Sequence, residues 1–272
     1  MLFRSLVIKQ KELFNIDYFH QFTKGEGIKV AVLDSEIFLD HPEFEGRDIN
    51  YKEFIDSYNP NYHGTTTSSL IVGNTLGFSP DVELYHAKML SDKYGSGRSW
   101  DRALDWVVKQ DVDVICMSIG TKVELSAGMK QTLQRIHERG IIVTAPSGNE
   151  GKSILRSPAN DPRVIAVGGI DYDKKRARMS NKSPLIEAYS LSENITVANI
   201  DENVPYIKKD GTSYANAFVA SQLALIISYA RINNKNINAR EFLEYYNDKN
   251  RAELRILDMK KVKKELDIYL DL

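Results

Sequence analysis

Cysteine is nearly absent. The chain of 272 residues has one, Cys116, so no internal disulfide holds the fold together. Cys116 lies in the apolar run VDVICMSIG and reads as a small core residue on a strand. Net charge is missing too: 36 Lys and Arg against 37 Asp and Glu leave −1, which argues against a nucleic-acid binder. The basic clusters DKKRARM (173–179) and MKKVKK (259–264) have acidic neighbours and read as solvated loops or helix faces. No apolar run approaches membrane-spanning length. The opening MLFRSLVIKQ has neither a long apolar core nor a small-residue cleavage site. A cytoplasmic protein without membrane or nucleic-acid partners is the simplest fit. Repeats, low-complexity tracts and Pro/Gly-rich linkers are also lacking. With 42% hydrophobic residues, the length supports one large α/β domain or two small ones.

What is present is an alternation of strand-like and helix-like segments. IKVAVLD (28–34), VELYHAKML (82–90), DVDVICMSIG (111–120), IIVTA in 141–151 and RVIAVGGI (163–170) read as strands. HGTTTSSLIVG (63–73) reads as a helix of small residues, and RSWDRALDWVVKQ (98–110) as an amphipathic one. AGMKQTLQRIHERG (127–140) is a helix closed by Gly140, and SYANAFVASQLALIISYARI (213–232) is a long, largely buried one. Two more helices are expected near 238–246 and 258–268. This alternation predicts a mostly parallel sheet covered by helices on both faces, a three-layer α/β/α fold. Function in such sheets gathers at the carboxyl ends of the strands.

Three polar residues stand where that rule places them, and a fourth opens the long helix. Asp34 ends VAVLD, where a carboxylate after four apolar residues is costly without a partner. His63 opens a helix in HGT, and Asn149 follows a strand in SGNEG. Ser213, in DGTSYANAFVA, is either an ordinary helix N-cap or a nucleophile at a helix mouth, where N–H groups favour developing negative charge. An acid, a base, an amide and a hydroxyl suffice for nucleophilic acyl transfer. His20, His86 and His137 have no partner motif, and His41 in DHPEF fits a structural turn. Asp40, Glu43 and Glu45 read as a solvated acidic turn rather than a metal cluster.

The strings VAVLDSEIFLDHPEF, HGTTTSSLIVG, SGNEG and GTSYANAFVA, in that order, resemble the subtilisin-like serine proteases, or subtilases. YGSGRSW (94–100) and MSIG (117–120) resemble the two strands that flank bound peptide in that family. SPANDPRVIAVGGID (157–171) resembles the segment behind its specificity pocket. The order Asp, His, Ser is also that of subtilisin. The resemblance runs from about residue 26 to the end, which leaves 1–25 as an N-terminal extension and 26–272 as the peptidase domain.

The resemblance implies that Ser213 attacks the scissile carbonyl, His63 carries the proton, Asp34 orients the imidazole, and Asn149 with the Ser213 N–H binds the oxyanion. The peptide or protein substrate would lie between Gly95, Ser96, Gly97 and Ser118, Ile119, Gly120. Arg156 would sit at the pocket base and favour an acidic residue before the cut, unless Glu150 already satisfies it or, the loop 150–157 being short, it points outward. The chain departs from the family at Glu36, which is expected to face solvent, at Thr66, and from Tyr214 to Phe218, where proline and histidine are usual. VGNTLGFSPDVELY (72–85) leaves no room for the family's calcium loop, and the residues before the domain are too few for a pro-domain. No cofactor or metal is therefore expected. The reading is a serine endopeptidase of undetermined oligomeric state. A catalytically silent peptide-binding module, or an acyl-transfer enzyme on the same fold, is the alternative.

Overall fold

The computed structural model describes residues 2–55, 62–91, 97–250, 252 and 254–272. Two helices, α1 (Leu2–Glu12) and α2 (Ile16–Phe19), precede β1 (Lys29–Asp34), β2 (Ile49–Glu53), α3 (His63–Val72), β3 (Glu83–Lys88) and α4 (Gly97–Val108). Then follow β4 (Val114–Met117), α5 (Ala127–Glu138), β5 (Ile142–Pro146), β6 (Ile165–Ile170), β7 (Ile186–Leu191), β8 (Ile195–Ala198) and β9 (Tyr206–Lys209). The chain closes with α6 (Thr212–Ile232), α7 (Ala239–Asn250) and α8 (Met259–Leu270).

Among the described residues the main sheet has seven strands in the order β2-β3-β1-β4-β5-β6-β7, and every neighbouring pair is parallel. β1 is central, with Val30 opposite both Leu84 of β3 and Val114 of β4. It is buried from Val30 to Asp34, which explains its nearly unbroken apolar run. α3 and α6 pack together over one face, and α4 with α5 cover the other. The fold is the three-layer α/β/α sandwich expected from the alternation of elements.

α6 is buried all round, from Tyr214 to Ala230, because it lies between the sheet, α3, α7 and α8. Two of its polar residues are tied to the surrounding chain: Gln222 donates to the Leu257 carbonyl at 2.7 Å and Ser228 to that of Glu26 at 2.9 Å. The N-terminal segment joins this core. Phe14 is fully buried, 5.9 Å from the Phe78 ring, which itself lies 4.3 Å from Phe218 of α6. The Gln10 carboxamide of α1 accepts from Thr196 N at 2.7 Å and donates to Thr196 O at 3.5 Å, along β8.

The expected elements are present with boundaries shifted by a few residues. The helix expected over 127–140 ends at Glu138, and Gly140 follows at φ 73°, a conformation glycine adopts without strain. Sequence reading passed over β2, β7, β8, β9 and the first two helices. β2 (INYKE) is a half-exposed edge strand without apolar alternation, and β8 and β9 form a separate antiparallel pair. Glu43 is not a solvated acid. It is 1% exposed, and its carboxylate accepts from Thr75 N, Leu76 N and the Tyr206 hydroxyl at 2.9, 3.0 and 2.8 Å. That carboxylate organises the turn joining α3 to β3. Glu43→Ala leaves these donors buried without an acceptor, so urea denaturation should show a loss of about 1–3 kcal/mol. An unchanged midpoint would mean that the turn holds itself.

Candidate active site

β1 drives Asp34 into the interior, where it is fully buried. The His63 ring donates from Nδ1 to both carboxylate oxygens at 2.9 Å, Ser35 N donates at 2.7 Å, and Thr67 Oγ1 at 3.0 Å. The start of α3 is seated on the backbone just after β1. Gly64 N donates to Ser35 Oγ at 3.0 Å and Thr65 N to the Glu36 carbonyl at 3.1 Å, so two of the unpaired N–H groups of the first turn are satisfied. A Cβ on Gly64 would stand 2.5 Å from Ser35 O; the glycine of HGT is what allows this approach. His86 is structural, donating to the Ser35 carbonyl at 2.8 Å and sharing a hydrogen bond with Ser68 Oγ at 3.0 Å.

The pair sets the electrostatics. Burial alone would raise the Asp34 pKa, but the His63 charge and the hydrogen bonds hold it below its ordinary value. Burial likewise opposes the imidazolium, yet Asp34 outweighs it and raises the His63 pKa, while the charge of Lys209 works in the lowering direction.

α6 begins across the site. Ser213 is its second residue and is partly exposed. Its hydroxyl lies 3.5 Å from the Ser118 carbonyl, and its own carbonyl accepts from Ser118 Oγ at 3.2 Å. Asn216, one turn on, donates to Cys116 Sγ at 3.2 Å and to Ser118 Oγ at 3.3 Å. The buried Cys116 thiol, pushed up to about 12 by desolvation, is inert. Asn149 Oδ1 accepts from Thr212 N at 2.9 Å and Thr212 Oγ1 at 2.8 Å. A Cβ added to the neighbouring Gly211 would stand 3.9 Å from Asn149 Nδ2.

Ser118, Ile119 and Gly120 run on from β4, and the bridge between Thr121 and Ser157 brings Arg156 beside them. Arg156 does not point outward: its side chain is 12% exposed and ion-paired with Glu150, Nε donating at 2.8 Å. Glu150 also accepts from Asn181 Nδ2 at 2.7 Å. Gly148, at φ 109°, makes room for this arrangement; a Cβ there would meet Asn181, Arg156 and Glu150. Gly97 opens α4, while Gly95 and Ser96 lie outside the described residues. Glu36 turns to the buried Lys88, its carboxylate 3.1 Å from Nζ, rather than wholly to solvent. Lys88, Lys209 and Tyr214 were missed as site residues. Tyr214 is 4% exposed with its ring 5.8 Å from that of His63. Its one sequence signal was its departure from the motif.

A model of the subtilase family (peptidase S8) matches residues 25–250. The chain is 32% identical to the major intracellular serine protease of Bacillus subtilis (strain 168), over 76% of this chain and 70% of that one. It is also 32% identical to subtilisin DY of Bacillus licheniformis, over 75% of this chain and 78% of the relative. Among solved structures it resembles the prenylagaramide maturation protease PagA, with TM-score 0.77 and 23% identity over 92% of this chain and 98% of that one. It also resembles the PatG macrocyclase in complex with peptide, with TM-score 0.79 and 16% identity over 93% and 95%.

The raised His63 pKa is directly measurable. Its ring proton should titrate by NMR above the ordinary value of about 6.5. Lys209→Glu exchanges a like charge for an opposite one and should move the midpoint further up. A midpoint at or below the ordinary value would mean that burial outweighs Asp34.

Proposed function

The chain belongs to the subtilase family and is a serine endopeptidase; from that premise we propose that Asp34, His63 and Ser213 are its catalytic residues and Asn149 its oxyanion donor. The observation that carries this is the buried Asp34–His63 pair, which leaves Nε2 as the proton-exchanging nitrogen, beside the start of α6 with Ser213 in its first turn. His63 takes the Ser213 proton as Oγ attacks the scissile carbonyl, and Asp34 stabilises the imidazolium. Asn149 Nδ2 and the Ser213 N–H hold the oxyanion. His63 then protonates the leaving amine, and water cleaves the acyl-enzyme by the same steps reversed. Tyr214, packed against the imidazole, limits the movement of its ring. The peptide lies extended along 95–97 and Ser118–Gly120.

The domain assignment of 1–25 as an extension and 26–272 as the peptidase domain belongs to the same proposal, as does activity without a cofactor. So does a cytoplasmic location, supported by the likeness to an intracellular protease. α6 is long and apolar enough to cross a membrane, but 89% of that window is buried inside the molecule. The fold is shared with a macrocyclase, so the acyl group passing to an amine is the alternative fate; product masses separate the two, since hydrolysis adds one water.

An activated serine reacts with fluorophosphonates and an N-cap serine does not. Mass spectrometry should find the adduct on the peptide holding GTSYANAF, and folded protein that stays unlabelled would be a silent module. Ser213→Ala or His63→Ala should lower turnover by about 10⁴ to 10⁶, with the double variant little worse. Asn149→Ala should cost about 10² to 10³. Both magnitudes are carried over from subtilisin itself. The acid limb of kcat/KM should follow the His63 titration, activity falling as the ring is protonated; an optimum at pH 4 to 5 would exclude a histidine base.

Arg156 bears on specificity. Its stem lies against Gly120 and Gly148 and its charge is matched by Glu150, so the floor of the pocket is narrowed and neutral. An acidic residue before the cut must compete with Glu150 for the guanidinium. Digestion of a peptide library should therefore show little acidic preference in the wild type. Glu150→Ala should raise it by about tenfold, and Arg156→Gly should open the pocket to large apolar residues. A strong acidic preference in the wild type, unchanged in Glu150→Ala, would overturn the neutralised floor.

A further inference from the structure

The cluster DKKRARM has no part in the chemistry above, yet the fold brings it to the site. The loop after β5 and the segment between β6 and β7 are joined through their backbones. Gly151 N donates to Met179 O at 2.7 Å, Lys182 N to Lys152 O at 2.8 Å, and Asn181 N to Gly148 O at 3.0 Å. These bonds gather Lys152, Arg178 and Lys182 on one exposed surface. Beside it lies an open cleft of about 370 Å³ lined by Arg176, Lys182, Ser153, Tyr189 and Leu254. Arg176 is held in place by the carbonyls of Ala177 and Ser180, at 3.1 and 2.8 Å.

The nearby carboxylates are engaged elsewhere. Glu150 pairs with Arg156, Glu187 with Arg240, and Asp173 with Lys175, while Asp171 accepts from the backbone of its own turn. Among the described residues, no carboxylate pairs with Lys152, Arg176, Arg178 or Lys182. A surface charge run is ordinarily a solvated face. This one differs in being four cations from two loops, unmatched in a chain of net charge −1: Lys152 on the loop that carries Asn149, and Arg176, Arg178 and Lys182 on the segment between β6 and β7 bonded to it. Exposed aliphatic groups, Ile154 at 39% and Leu185 at 64%, stand in the same loops. Tyr189 is buried, so no ring there is presented for stacking with a nucleic-acid base.

We propose that the cleft between Arg176 and Lys182, with Lys152 and Arg178 on its rim, docks an acidic stretch of the peptide substrate lying outside the residues that flank the cut. This rests on the reading of the chain as a protease. The contact is long-range and exposed, so it acts on encounter and KM, leaves kcat alone, and weakens with salt.

The first test is binding, measured by fluorescence anisotropy on full-length Ser213→Ala protein, which does not depend on turnover. Fluorescein-labelled hexaglutamate should bind and hexalysine should not. Lys152→Glu/Arg178→Glu/Lys182→Glu, checked for unchanged circular dichroism and melting, should weaken hexaglutamate by about tenfold or more. About 0.5 M salt should do the same. In the active protein, one neutral cleavable peptide is compared with versions carrying six glutamates upstream or downstream. KM should fall about fivefold or more for one of them, and the triple variant should lose that gain while cleaving the neutral peptide normally. Hexaglutamate that fails to bind, or binds the triple variant equally, overturns the proposal. So does a single-stranded oligonucleotide of equal charge binding more tightly than the peptide, which would make the surface a nucleic-acid site. Failure of the protease reading shows separately, as wild-type Ser213 that takes no fluorophosphonate.

Discussion

A carboxylate with no exposure to water is the constraint around which the site is arranged. Taking an ion of that kind out of solvent costs several kcal/mol, and nothing in the apolar β1 offsets it. Asp34 is sustained by what converges on it from α3 and from the chain just after β1: the His63 ring, the Thr67 hydroxyl and Ser35 N. The first turn of α3 can approach closely because Gly64 has no side chain and its N–H finds Ser35 Oγ. The composition of HGTTTSS fits these duties: Thr67 serves the buried charge, Thr65 the chain after β1, Ser68 the buried His86 and Ser69 β8, in place of the aliphatic stripe usual on a helix packed against a sheet.

The second half of the site depends on α6. A helix buried on every side has little freedom to slide, and its register fixes where Ser213 stands. Three contacts lock its first turns to the strand ends: Thr212 with Asn149, Ser213 with Ser118, and Asn216 with Cys116 and Ser118. Ser213, Asn149 and the segment that runs on from β4 are thus held by one another. Deep burial of a long apolar helix is here a means of placing one hydroxyl.

The core of this was legible in the sequence. β1, α3 and α6 are strongly patterned, and the residues at their ends, Asp34, His63 and Ser213, were read from the same strings. What escaped was decided by tertiary contact. Glu43 looks like any surface acid until the α3–β3 turn folds over it. Tyr214 shows its relation to His63 only when α3 and α6 are in register. Arg156 was placed at the pocket, but whether it pointed in or out depended on two glycines and on Glu150 coming round from the loop. The short strands β2, β8 and β9 carry no alternation a linear reading could detect.

Gln10 on β8 has a consequence for solubility. β8 pairs with β9 along one side and on the other would offer the bare N–H and C=O of Thr196, the kind of edge that templates pairing between molecules. The Gln10 carboxamide reproduces both hydrogen bonds of a missing neighbour strand, and Ser69 Oγ accepts from Ala198 N further along at 3.3 Å. A protein that cleaves polypeptide has reason to refuse it at an open sheet edge. Here one amide from the first helix, with Ser69 beside it, closes that edge, so trimming the first dozen residues would expose a sticky seam while leaving Asp34, His63 and Ser213 where they are.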